Sequence, residues 1–125
     1  MQNEPLVSIS LTPRFKRDLR DLAKRYRSIR TDLQSLIAQL QAGETPGDRV
    51  TGIAYQVFKV RLKNSNIQKG KSGGYRVIYY LKTDTEILLA TIYSKSDLSD
   101  VSNEVIEAAI AQHEQDIQTL DNSDF

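Results

Sequence analysis

The stretch Phe58-Lys59-Val60-Arg61-Leu62-Lys63 and, after a polar connection, Tyr75-Arg76-Val77-Ile78-Tyr79-Tyr80-Leu81 decide the fold class. In the first, apolar and basic residues alternate with the period of a half-buried strand, which places Lys59, Arg61 and Lys63 on one side. The second is a run of β-branched and aromatic residues, as is Ile87 to Tyr93. Both read as central strands covered on both faces. Lys82 to Glu86 makes the turn between them, and Asn64 to Gly74 is a glycine-bearing connection. Three consecutive strands are therefore expected.

Toward the N-terminus the period changes. Ser8 to Leu11 is a short strand candidate that stops at Thr12-Pro13, where threonine suits an N-cap and proline the first helical position. Phe15, Leu19, Leu22 and Tyr26 then recur at helical spacing. A second helix starts at Ser28, carries Ile29, Leu33, Leu36, Ile37 and Leu40, and closes at Gly43 in a left-handed cap. The short connection predicts an antiparallel helical hairpin. Glu44 to Asp48 reads as a turn-rich loop. Beyond the strands, Ser99 to Leu120 shows Ile106, Ile110, Ile117 and Leu120 at helical spacing. The expected architecture is α+β: a small, mainly antiparallel sheet with an N-terminal helical hairpin and an acidic C-terminal helix over about 99–120. Without repeats or a Pro/Ser-rich linker, residues 1–125 are read as a single domain.

Composition narrows the chemistry. The chain contains no cysteine, which excludes disulfides, zinc–thiolate sites and thiol nucleophiles. Met1 to Glu4 lacks the basic start of a signal peptide, and no apolar run approaches a membrane span, so a cytoplasmic location without membrane partner is expected. The net charge of +1 conceals a dipole: residues 1–80 hold 15 Lys or Arg against 6 Asp or Glu, whereas residues 81–125 hold 2 against 10. Either a polyanion binds the basic part or the two parts neutralise each other.

Two features carry no chemistry. Gly70-Lys71-Ser72 imitates the end of a phosphate-binding loop, but the glycine which that loop requires upstream is replaced by Ser65. His113 is the only histidine and lies on the apolar side of the last helix, so packing is its expected role and no metal site is expected. The eight basic residues from Arg14 to Arg30 read as a solvated helix face or as a rail for phosphates.

Between Lys59 and Arg76 stand six cations, Lys59, Arg61, Lys63, Lys69, Lys71 and Arg76, with no acidic residue among them. Like charges on one sheet face repel. An external polyanion is expected to supply the counter-charge, against the alternative of an ordinary charged outer strand.

The segments Phe58-Lys59-Val60-Arg61-Leu62, Lys69-Gly70-Lys71-Ser72-Gly73-Gly74-Tyr75-Arg76-Val77-Ile78-Tyr79-Tyr80 and Thr91-Ile92-Tyr93-Ser94-Lys95 together resemble toxins of the RelE/ParE superfamily. They are most similar to its HigB-like branch, over residues 8 to about 100. The resemblance implies a RelE-like fold, a cognate antitoxin as partner, and inhibition of translation by endonucleolytic cutting of mRNA on the ribosome, with no cofactor. It carries Lys59, Arg61, Arg76, Tyr93 and Lys95 over to catalysis and Lys71 to RNA binding, and the acid-free charge run adds Lys63 and Lys69 to the RNA-binding set. Ser96 and Ser102 depart from the RelE type, which has arginine and a functional tyrosine there. ParE-type members instead poison DNA gyrase, and a non-catalytic RNA- or partner-binding module is the third possibility.

RNA is cut when its 2′-hydroxyl loses a proton and attacks the adjacent phosphorus. A catalyst must take that proton, hold the phosphate charge and protonate the leaving 5′ oxygen. The arginines suit the phosphate, Lys59 is the candidate base, and Tyr93 the candidate stacking or proton-donating group.

Overall fold

The computed structural model describes residues 7–67 and 73–123, with residues 117–123 described as backbone only. The elements are β1 (Ser8–Leu11), α1 (Pro13–Ala23), α2 (Ile29–Gln41), β2 (Asp48–Arg49), β3 (Val57–Leu62), β4 (Tyr75–Thr83), β5 (Glu86–Ser94) and α3 (Asn103–Ser123). One five-stranded sheet has the order β1-β5-β4-β3-β2, with β1 parallel to β5 and the other pairs antiparallel. This is the expected α+β architecture of a RelE-like fold.

Several boundaries differ from the sequence expectation. Asp48, read as the end of a loop, forms with Arg49 a two-residue edge strand that pairs with Lys59 and Phe58, because Gly47 at φ 97° turns the chain back against β3. A Cβ at Gly47 would stand 2.4 Å from the Lys59 carbonyl oxygen, so no other residue allows that approach. Tyr26 lies beyond the end of α1, although its ring still packs edge-on against Tyr75 at 5.8 Å. The last helix begins at Asn103 rather than near Ser99, capped by the Ser102 hydroxyl, which accepts from the Val105 N–H at 3.3 Å. Asp100 is therefore in the loop before the helix.

The α1 start is fixed by Thr12, which is fully buried. Its hydroxyl accepts from the Phe15 N–H at 2.9 Å and donates to the Ala90 carbonyl at 2.7 Å, while its own N–H donates to the Leu89 carbonyl at 3.1 Å. One residue thus caps the helix and ties it to β5. β1 pairs β5 only as far as Leu89, and α1 takes over from there. The Thr91 hydroxyl donates to Asp18 of α1 at 2.9 Å.

The two sheet faces carry separate cores. Phe15, Leu19, Leu22, Ile29, Leu33, Leu36 and Leu40 of the two helices pack on Leu62, Tyr75, Val77, Tyr79, Leu89 and Ile92. On the opposite face Ile106 and Ile110 of α3 pack on Val57, Ile78, Leu88, Ala90 and Tyr93. Most of β4 and β5 is buried between these layers, as their largely apolar runs predict, and the ends around the Lys82–Glu86 turn are exposed. The apolar stripe of the acidic helix is thus covered by the chain's own sheet through Ile106 and Ile110. Ile117 and Leu120 of that stripe lie outside the residues whose side chains are described.

Candidate functional site

Strand alternation divides β4 between the two cores: Val77 and Tyr79 face α1 and α2, whereas Ile78 faces α3. Arg76 falls on the α3 side by the same alternation. In β3 the set facing α3 is Val57, Lys59 and Arg61. Register then aligns residues that the sequence separates. Arg61 pairs with Arg76, and Arg76 pairs with Tyr93, so Arg61, Arg76 and Tyr93 form one row across three strands. The neighbouring row is Asp48, Lys59, Ile78 and Thr91.

The members of the first row differ in burial. Arg61 is exposed, whereas Arg76 is only 6% exposed and donates from Nη1 to its neighbour's carbonyl, that of Tyr75, at 3.1 Å. Tyr93 is 7% exposed. Burial pushes its phenol up to about 12, reinforced by the Asp100 carboxylate and opposed by Arg76. Tyr93 is accordingly a hydrogen-bond donor at neutral pH.

Asp100 joins the two rows. Its Oδ1 accepts from the Lys59 ammonium at 2.7 Å, from the Val101 N–H at 2.8 Å and from the Tyr93 hydroxyl at 3.3 Å. The Lys59 hydrogen bond, followed by that from Val101, holds the Asp100 carboxyl below its usual range. The cleft beside this cluster is lined by Asp48, Arg49, Thr51, Lys59, Asp100 and Asn103. The Asn103 amide fixes its far wall by donating to the carbonyls of Thr51 and Gly52 at 3.1 and 3.3 Å.

These facts correct part of the charge expectation. The acid-free window from Lys59 to Arg76 does receive counter-charge from within the chain: Asp100 pairs with Lys59, and Asp48 stands opposite it across the strand pair. Lys59 thus has a carboxylate partner, Asp100, at 2.7 Å. Among the described residues no ion pair joins Arg61 or Lys63. Lys63 follows the end of β3 and is not part of its alternating face. Lys95 follows β5, and its ammonium donates to the Ser99 carbonyl at 2.8 Å, which pins the loop that delivers Asp100. Lys69 and Lys71 lie outside the described residues.

On α1 the basic face is solvated. Arg14 and Arg17 approach Asp18 at 3.6 and 3.9 Å, and Arg25, in the turn after α1, grips Asp97 with two bonds of 2.7 and 3.1 Å. His113 lies in a small hollow with Ser8, Ser10, Lys82, Glu86 and Glu114, remote in the fold from the cationic row. Ser102, the departure from the RelE-type tyrosine, is the cap of α3. Among the described residues no group of three or more His, Cys, Asp or Glu could hold a metal ion, and no helix is long and apolar enough to cross a membrane.

Fold and site define a small α+β protein in which Arg61, Arg76 and Tyr93 share one cross-strand row, Arg61 exposed and the other two buried. The family model described as the ParE toxin of type II toxin–antitoxin system, parDE, matches residues 9–98, from β1 to the loop after β5. The chain belongs to this family, and so to the toxins of the RelE/ParE superfamily that act with a cognate antitoxin. No curated protein matches the sequence at a significant level.

Proposed function

We propose that this toxin arrests translation by cutting mRNA on the ribosome, as expected for the RelE and HigB-like branch. The observation that carries this reading is the alignment of Arg61, Arg76 and Tyr93 in one cross-strand row beside Lys59. A guanidinium pair flanked by an ammonium is suited to the two unesterified oxygens of a phosphodiester as charge builds during attack by the 2′-hydroxyl. Attack forms the bond from the 2′ oxygen to phosphorus and breaks the bond to the 5′ oxygen, leaving a 2′,3′-cyclic phosphate. Tyr93, protonated at neutral pH, is the group suited to give its proton to the departing oxygen. Lys63, Lys69, Lys71 and Lys95 are assigned to the flanking phosphates, where each contributes by counterion release. The 2′-hydroxyl proton goes to a group of the ribosome–message complex, since the row offers no carboxylate–histidine pair. The work is cytoplasmic and needs no cofactor.

The match to the ParE family model favours a second reading, inhibition of DNA gyrase, in which the same cationic row contacts the enzyme–DNA complex without cutting. The two part in cells expressing the toxin. Mapping of mRNA 5′ ends within minutes of induction is expected to reveal new cleavage sites while plasmid supercoiling stays unchanged. Intact mRNA with relaxed plasmid or trapped gyrase–DNA complexes would assign the protein to gyrase.

A further inference from the structure

Three donors of different origin converge on a single carboxylate oxygen: the Lys59 ammonium from β3, the Tyr93 hydroxyl from β5 and the Val101 N–H, at 2.7, 3.3 and 2.8 Å from Asp100 Oδ1. Such a set of donors around one anionic oxygen has the form of an oxyanion subsite. Two of its members, Lys59 and Tyr93, border the Arg61–Arg76 pair, and the space outside opens to the cleft of Asp48, Arg49 and Thr51. Asp100 has no packing role that would explain its position. Its side chain is 62% exposed, and it sits in the loop between β5 and α3. Among the described residues only Oδ1 is engaged.

We infer that Asp100 is an internal stand-in for a phosphate oxygen: it fills the Lys59–Tyr93 subsite in the free toxin and must swing out for a phosphate group to bind. This rests on the site of the proposed function but on neither of its two targets. An exposed ion pair is a weak latch, so it tunes affinity rather than closing the site, by about fivefold at low salt. Asp48, across the strand pair from Lys59, places a second negative charge beside the subsite.

Asp100→Asn keeps the shape of the side chain and an oxygen for the Val101 N–H while removing the charge. The test titrates inorganic phosphate into the full chain, following the NMR signals of the Lys59 side chain and the Tyr93 ring. Asp100→Asn is expected to bind phosphate about fivefold more tightly than the unmodified toxin, with the difference shrinking as salt rises. Lys59→Met in the Asn background is expected to abolish the gain. Glu104→Gln, which removes one charge from the first turn of α3, is expected to leave affinity unchanged. Equal or weaker binding by Asp100→Asn, an equal gain in Glu104→Gln, or absence of phosphate binding in every form would overturn the inference. A gain confined to Asp100→Asn in a toxin that leaves mRNA intact in cells would uphold it and remove the nuclease reading alone.

Discussion

Arg61 and Arg76 stand directly opposite each other on β3 and β4, two guanidinium groups on the same sheet face at neighbouring positions. Like charges placed so oppose folding by about 0.2–1 kcal/mol. Among the described residues no ion pair relieves this at Arg61, which is exposed. A charge arrangement that costs stability, held on a well-packed sheet, is the pattern of a functional surface.

Arg61→Ala separates the two effects. Because the repulsion is removed, the melting temperature at low salt is expected to rise by up to about 4 °C. Cleavage of mRNA is expected to fall about 10- to 100-fold, the loss of one charge-assisted contact to the transition state. Thermal melting and 5′-end mapping on the same variant check both, and a fall in both would mean that Arg61 is structural.

Arg76 is the contrasting partner, since it is only 6% exposed and its guanidinium donates to the Tyr75 carbonyl. Arg76→Ala is expected to lose toxicity together with about 1–3 kcal/mol of stability, because packing and hydrogen bonding go with the charge. Arg76→Lys keeps the stem and the charge but not the planar fork. It is expected to stay within about 1 kcal/mol of the parent in urea unfolding and still to lose most of its activity. Full activity in Arg76→Lys would show that a point charge suffices.

The acidic helix contributes folding energy. Ile106 is 1% and Ile110 0% exposed, each worth about 1.5–3 kcal/mol of burial against a total stability of about 5–15 kcal/mol for a small domain. Truncation after Ser99 is therefore expected to leave no cooperative melting transition. Ile110→Ala is expected to fold with a loss of about 2–5 kcal/mol and to keep its phosphate contacts. A sharp transition in the truncated form would show that α3 is dispensable.

His113 is expected to make stability pH-dependent. Burial lowers its pKa from 6.5, opposed by Glu114 and Asp116 and assisted by Lys82 and Lys16, while Glu86 lines the same hollow. The unfolded chain then binds a proton more readily than the folded one, so the contribution of His113 is present above about pH 6.5 and lost as the pH falls through its lowered folded value. Melting temperature is expected to drop between pH 7.5 and pH 5, and His113→Gln is expected to flatten that slope. An unchanged slope in the variant would place the titration elsewhere.

Period and punctuation alone determined the α+β class, the capped first helix at Thr12-Pro13, the central strands and the amphipathic last helix. Each of those signals is local: alternation across a strand, recurrence along a helix, a glycine at a turn. The same local logic misplaced the edge strand Asp48–Arg49 and the start of α3. Two residues are too few to show a period, and Gly47 matters only through its approach to the Lys59 carbonyl. The candidate site divides in the same way. Lys59, Arg61 and Arg76 stood out as cations without acids nearby in the chain. That Arg61, Arg76 and Tyr93 form one row was decided by strand register, and the meeting of Lys59 with Asp100, 41 positions apart in sequence, by the path of the loop after β5. Hydrogen bonding between strands fixes which side chains are neighbours, and charge pairing follows that neighbourhood rather than the order of residues.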